Sequence, residues 1–552
     1  MGQLGYAIAW VATTVPLYCL YKCYITGRRP ADLPPGPPTI PLFGNLHLIP
    51  KDRPYLQFQK WAEEYGPIYS LILGTRVWII LSSDASVRDL LDKRSNIYSS
   101  RPDMYMGQEV ASGGLRLVTM KYSALWRKMH KMIHNILNVR AAAAYVPYQD
   151  LENKRMLLDF LVKPAEFVGH IRRYTNSLTT QMIFGFRTVD SNDPNSNNYF
   201  QGFELWGELV QGASSQLLDL YPILQKLPPF LRPNYNYARE LHRKEMGLYL
   251  GHWMNTKKAL HDGIAKPSFC NDLLRVQEQE QISDEQAAYL SGSLLEAGSD
   301  TTSSILIGFI QAMMVFPDVQ QKAQEEIDRV VGSDRLPVME DSDSLPYIRG
   351  CVKESIRWMP TTIMAAPHGV TQDDEYMGYR IPAGATVICN AWAIHMDPKR
   401  NPDPRRFDPT RFENDNRTEL ESATTRDPSQ RNNFIFGAGR RLCQGVHIAE
   451  RSLFLGISRV LWGFDIKRPI DPLTGEQVPL PDIDNLVGSL TVQPAPFETD
   501  ITARSDKKAQ MIRESWDDTR ESFLDKETLQ WKEVPKGMVF STWKPGKDVS
   551  SG

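Results

Sequence analysis

Hydrophobic and polar positions in this chain alternate mostly with helical period, and short apolar or alternating runs interrupt them. The first run is the least polar. Residues 5–21, GYAIAWVATTVPLYCLY, carry no charge, while Lys22, Arg28 and Arg29 follow. Such a run lies near the lower limit of roughly 17–25 residues for crossing a bilayer. Cations on its C-terminal side alone would keep the rest of the chain cytosolic. Residues 1–26 are therefore expected to form a transmembrane anchor, weakened a little by Pro16. A cleaved leader would need a basic start and a small-residue cleavage site, and both are poor here. Residues 27–50 include LPPGPPTIPLFGN, whose prolines favour extended backbone, so a stiff spacer is predicted.

Beyond it, YLQFQKWAEEYG has helical period, and IYSLILG and RVWIILSS read as the two strands of a hairpin. From Asp84 onward helical patterns dominate, apart from strand-like pieces near EYMGYRIPAG and ATVICNA. The predicted fold class is mainly α with a small β portion. There is no βαβ alternation and no dinucleotide fingerprint, so the chain is not expected to bind NAD itself.

One helix is set apart by its length. Ser283 with Gln286 three residues later forms a capping box, and the apolar pattern continues until Pro317. At about 1.5 Å per residue this is a rod of ~50 Å. It is apolar nearly all round, which places it in the centre of a large globule. Its middle, AGSDTT (297–302), breaks the pattern, because a buried acid needs a partner or water. This break reads equally as a kink with satisfied hydroxyls and as a polar notch facing a site.

The stretch FIFGAGRRLCQGVHIAE (434–450) leads into a second helix, with Val446, Ala449, Leu453, Ile457 and Val460 on one face. Gly437 and Gly439 allow the backbone to turn back tightly. Gly445 admits something large and flat near the main chain. A sulfur at position 443, at a helix start beside Arg440 and Arg441, is expected to be stabilised as a thiolate. Such a thiolate is a nucleophile or a metal ligand. Cys443 with His447 would be half a zinc site, but no second pair lies nearby. Glu354 and Arg357 in VKESIRW share a helix face, and PDPRRFDPTRF carries Arg411. The first two alone would be an ordinary surface pair. Two arginines on one buried glutamate would form a rigid network.

Composition narrows the class. With 552 residues, 42% hydrophobic, the chain can build a large core, and its net charge of -2 gives no sign of a nucleic-acid partner. Six scattered cysteines argue for reduced thiols rather than a disulfide framework.

Together these motifs resemble the cytochrome P-450 family of haem-thiolate monooxygenases. FGAGRRLCQG places Phe436, Gly439, Arg441, Cys443 and Gly445 at the family's haem-binding spacing. AGSDTT resembles the oxygen-activating notch of its central helix. Glu354, Arg357 and Arg411 match its E-x-x-R network. The likeness runs from the proline spacer to about residue 496, in the family's order. One departure is Trp126 followed by His130, where the family has W-x-x-x-R, and another is Thr410 in place of a common glutamate.

The resemblance implies a P-450 fold over 51–500, a helical haem-binding globule behind the anchor, and haem b held through Cys443. Arg441, Trp126, His130 and His368 are implied propionate partners. Phe436, Gly437, Gly439 and Gly445 would shape the sulfur's surroundings. Thr301 is implied to hydrogen-bond to dioxygen or to a water beside it, and Asp300 to relay protons. Electrons would come from NADPH through a membrane NADPH–cytochrome reductase, since the chain has no flavin domain. Arg127, Lys128, Lys131 and Arg440 would steer that acidic partner, the less favoured alternative being ordinary solvated charges. The resemblance is to fungal microsomal members of secondary metabolism, single-pass in the endoplasmic reticulum membrane. Their substrates would be small and hydrophobic, aromatic or polyketide-derived. The pocket would draw on 104–114, Leu294, Ala297, 361–367 and 485–490. Two other classes remain: a haem-thiolate isomerase or dehydratase without O2, and a non-catalytic haem-binding protein. The sequon at Asn416 is expected to stay bare on the cytosolic side. The 501–552 extension is expected to be partly helical, a helix docked on the globule through a stripe of Ala509, Ile512, Trp516 and Phe523, with a loose end.

Overall fold

The computed structural model of the chain describes residues 2–533; the end of the expected extension, from 534, lies outside them. Helix α1 is Gly2–Ile25 and α2 is Pro54–Tyr65. Further helices follow: α3 (Ala124–Leu137), α4 (Val146–Val162), α5 (Phe167–Phe184), α6 (Pro194–Gln211) and α7 (Tyr235–His261). The second half contributes α8 (Asp284–Val315), α9 (Pro317–Val330), α10 (Pro346–Trp358), α11 (Val446–Gly463) and α12 (Asp506–Phe523). The strands are few and short, as expected.

The central helix α8 begins as its capping box predicts: Gln286 N–H donates to Ser283 Oγ at 3.1 Å, and Ser283 N–H to Gln286 Oε1 at 3.2 Å. Two separate apolar cores grip its two halves. Ala287–Leu290 and Leu295 pack with Trp126, Ile133, Tyr249 and Trp253. Ile305–Ile307 and Phe309–Met314 pack with Phe160, Tyr174, Trp358, Leu453 and Trp462. The gap between these cores falls on the AGSDTT stretch.

A four-stranded sheet flanks this helical body. Strands β1 (Ile68–Leu73) and β2 (Arg76–Leu81) form the expected antiparallel hairpin, with Ile68 opposite Leu81. Strand β3 is His368–Gly369, β4 (Asp374–Tyr376) pairs with β5 (Tyr379–Ile381), and β6 is Thr386–Cys389. The sheet order is β1-β2-β6-β3, with β6 parallel to β2. Strand β7 (Phe464–Lys467) follows α11, and β8 (Leu486–Gly488) pairs with β9 (Val492–Pro494) in a hairpin.

The two ends add detail to the expectations. Residues 2–25 are helical, but among the described residues no single helix is long and apolar enough to cross a membrane. Thr13, Thr14, Pro16 and several tyrosines dilute the apolar run. The proline segment is no free spacer. Ser70 N–H donates to Pro35 O at 2.7 Å, and Arg29 donates to Gly36 O, Pro37 O and Ser70 O, so the segment lies on β1. At the other end β10 (Asp500–Ala503) pairs with β7, so a boundary at 500 cuts through a strand. Helix α12 buries Lys508, Ile512, Trp516 and Thr519, while Phe523 is exposed. The buried stripe shares Ile512 and Trp516 with the expected one, and takes Lys508 and Thr519 in place of Ala509 and Phe523.

Candidate active site

The cysteine loop is held by backbone geometry. Gly437 and Gly439 have φ of 75° and 57°, and a Cβ on Gly439 would stand 2.1 Å from Leu91 O. Gly439 N–H donates to Asp92 Oδ1 at 2.7 Å. Arg431 donates to Gly437 O and pairs with Asp92 at 3.6 Å. Cys443 N–H closes the turn on Phe436 O at 2.8 Å, and Phe436 packs into the core. Gly445 has a negative φ, and a Cβ there would sit 3.9 Å from Cys443 Sγ.

The side chain of Cys443 is exposed, yet protein surrounds it densely enough that burial pushes its thiol up. The Gly445 N–H draws the thiol down. The arginines do not serve the sulfur, contrary to expectation. Arg440 donates to Tyr122 OH at 3.1 Å. Arg441 donates to Ser99 O at 2.8 Å and Met120 O at 2.7 Å. A thiol with burial against its ionisation gives its proton up to solvent when a metal cation binds the sulfur, because the cation replaces the proton as counter-charge.

In the middle of α8, Ala297 is exposed and Leu294, Gly298, Asp300 and Thr301 are half-buried, although their helix is otherwise enclosed. Thr301 Oγ donates to Ala297 O at 2.8 Å, one turn back. Gly298 has a packing reason: a Cβ there would meet Thr179 Oγ1 of α5 at 2.7 Å. Gly298 thus faces a neighbouring helix, while Ala297 and Thr301 keep accessible surface and the Thr301 hydroxyl is satisfied within its own helix. Asp300 accepts a hydrogen bond from Thr491 Oγ1 on the turn before β9. Burial pushes its carboxyl up; Thr491 and Arg172 pull it down.

A cationic cluster lies near the cysteine loop, with no acid paired to it among the described residues. The Arg441 guanidinium sits 4.0 Å over the Trp126 ring, and burial lowers it to about 10. Trp126 stacks on His130 with centroids 4.4 Å apart. Burial and Arg441 both hold the His130 imidazole below its usual range. His368 Nδ1–H donates to Tyr98 O at 2.6 Å, and burial followed by Arg101 drives the ring down to about 3. Arg101 is the member that sequence reasoning missed. It is 6% exposed and donates to Val118 O, Ala366 O and Pro367 O, with burial and Arg441 lowering it strongly. Its partners at 366 and 367 lie far along the chain, so no local pattern marked it.

The Glu354 network is buried. Arg357 Nε and Nη2 donate to Glu354 Oε2 and Oε1 at 2.6 and 2.7 Å, both residues being fully enclosed. Arg411 Nε stands 3.5 Å from Glu354 Oε1, an ion pair without hydrogen-bond geometry, and its Nη2 donates to Asp403 O. The expected double grip is thus one bidentate pair and one looser charge. The network reaches the cysteine loop through His395, also missed. His395 Nδ1–H donates to Arg357 O at 3.1 Å, and Nε2 accepts from Phe434 N–H at 2.9 Å.

An accessible cysteine with cations near it, and no acid against those cations among the described residues, could hold a flat, anionic, metal-bearing group. The family model for cytochrome P450 matches residues 34–499. The cytochrome P450 monooxygenase virE of Hypocrea virens is 53% identical over 529 residues, covering 96% of this chain and 95% of its own. The cytochrome P450 monooxygenase fogE of Aspergillus ruber is 48% identical, covering 95% and 96%. A third, fsoB of Humicola fuscoatra, is 45% identical, covering 96% and 97%. The chain belongs to the cytochrome P450 family and is a monooxygenase of the fungal type.

Proposed function

We propose that this enzyme binds haem b through Cys443 and oxidises a small hydrophobic metabolite with O2 and electrons that originate in NADPH. The observation that carries the reading is the pair Arg101 and Arg441, with no acid against either among the described residues, near the accessible Cys443. A buried and a half-buried guanidinium without an acid are unfavourable, and the two propionates of haem are the counter-charge they lack. Their N–H groups suit carboxylates, and His368, tied at Nδ1, offers its Nε2 edge once an anion raises its basicity. Trp126 and His130 form the flat floor beneath Arg441.

When bound, haem supplies the redox chemistry by which O2, two electrons and two protons yield one oxygen atom in the substrate and one water. The chain's residues supply position and protons. Thr301 holds a hydroxyl proton at the mouth of the α8 notch. Asp300, one residue before it and partly open, passes protons from solvent towards that hydroxyl. Phe436 keeps water from the sulfur.

The wall segments 104–114, 361–367 and 485–490, with Leu294 and Ala297, are mainly apolar and small, which suits a compact aromatic or polyketide-derived fungal secondary metabolite. Arg127, Lys131 and Arg440 are exposed and fit an acidic reductase, whereas Lys128 pairs with Glu280 at 3.6 Å. Helix α1 is read as the endoplasmic reticulum anchor, with the catalytic body cytosolic. Exposed Ile223, Phe230 and Leu231 support contact with a bilayer near it, since Tyr221 OH donates to Leu42 O of the N-terminal segment. Membranes carrying the protein, given NADPH, reductase and candidate aromatics, should yield products heavier by one oxygen. Product formed without oxygen uptake would replace this reading with an isomerase.

A further inference from the structure

We propose that Thr491 is a positioning residue that ties the acid of the α8 notch to the β8–β9 hairpin, making the pocket wall and the proton source one mechanical unit. The inference rests on the proton role assigned to Asp300 above and adds to it a residue that no motif marks.

The geometry comes from three sides. Thr491 is 9% exposed, and its hydroxyl donates to Asp300 Oδ2 across the interface between α8 and β9. A second link runs parallel: Arg172 of α5 donates from Nη2 to Gln493 Oε1 at 3.4 Å, while its own Nε is buried without a hydrogen-bond partner. The same Arg172 pulls the Asp300 carboxyl down, and Glu204 of α6 pushes it up. The hairpin itself is fixed. Val492 N–H donates to Thr361 O at 2.8 Å, and Thr361 Oγ1 returns a bond to Val492 O at 3.1 Å. On the other side α6 presses on the turn: a Cβ on Gly207 would overlap Ser489 Oγ at 1.7 Å.

The consequence is coupling. Residues 485–490, the expected substrate wall, lead directly into Thr491. A substrate that seats well leaves the hairpin in place, and Asp300 keeps one orientation with its other oxygen towards the partly open side. A substrate that pushes the hairpin outward removes the hydroxyl from Asp300, and the freed carboxylate turns to Arg172. Thr491 needs to touch neither substrate nor haem to act this way.

Thr491→Val keeps the shape and removes the donor, while Thr491→Ser keeps the donor. In the holoenzyme with reductase, T491V should raise peroxide released per product about tenfold, and T491S should remain near the unsubstituted enzyme. Infrared difference titration, with Asp300→Asn as the subtraction, reads Asp300 without turnover. Losing a hydrogen bond to the charged carboxylate should move its titration upward by about one to two pH units in T491V, with recovery in T491S. If D300N uncouples but T491V neither uncouples nor shifts the titration, the inference is wrong and the proton role stands. If D300N itself stays coupled, the proton role fails and the inference with it.

Discussion

Arg101 and Arg441 repel each other, and both are drawn below their usual range by burial. Their effect on stability should therefore change sign with the prosthetic group. Arg441→Leu is expected to relieve the haem-free protein and to weaken the loaded one, releasing haem about tenfold to a hundredfold faster, the scale of a charged hydrogen bond of roughly 1.5–3 kcal/mol. Haem transfer to an acceptor protein, set beside thermal unfolding of both forms, checks this. His395 makes a second residue-scale prediction. Burial lowers its ring to about 3 in the fold against an ordinary value near 6.5. The unfolded chain thus binds the proton more readily in between. The contribution of His395 is whole above about pH 6.5 and fades as pH falls towards about 3. The unfolding midpoint should fall across that window, and less steeply in His395→Leu. A slope equal in both proteins would contradict the assignment. Cys443, Glu354 and Arg357 were legible as residues because a fixed spacing carries them. Arg101, Asp92, His395 and Thr491 were not, because each acts through a partner distant in sequence.

At the scale of elements, α8 was legible from end to end, since capping chemistry and an apolar run interrupted only at AGSDTT are local signals. What lay across from it was not. Arg116 is wholly buried and donates to Glu245 of α7 at 2.6 and 2.7 Å and also to Glu296 of α8; Tyr289 OH and Tyr249 OH reach the same carboxylates at 2.7 and 2.6 Å. This network fastens the 104–117 segment between two helices. Removing the arginine leaves two buried carboxylates, so Arg116→Met should cost about 3–5 kcal/mol, measurable as a fall in the denaturant midpoint. Arg116→Met with Glu245→Gln and Glu296→Gln should regain much of it. A neutral single substitution would show the network to be solvated.

Across the whole molecule, the mainly α class with a small β part was legible from periodicity, and so was a tail helix against the body. The contacts that bind the two ends were not, because they run through backbone groups and distant side chains that composition does not encode. The tail shows this most. Trp531 Nε1–H donates to Gln181 Oε1 at 2.6 Å, and Gln530 and Arg187 exchange bonds at 2.7 and 3.0 Å. Arg187 in turn pairs with the buried Glu152 of α4 at 2.6 Å. Trp531→Ala is expected to cost about 3–5 kcal/mol, read as a lower midpoint in denaturant with the Soret absorbance followed in parallel. A change under about 1 kcal/mol would make the tail a passenger.

Every functional statement depends on sulfur from Cys443 bonding to haem iron. The most direct measurement is the absorption of the folded, haem-loaded protein after reduction and addition of carbon monoxide. A Soret band strongly red-shifted, as a thiolate ligand produces, is the expected result, and Cys443→Ser should abolish that shift. An unshifted band in the unsubstituted protein, or a shifted band that persists in the serine variant, would contradict the account.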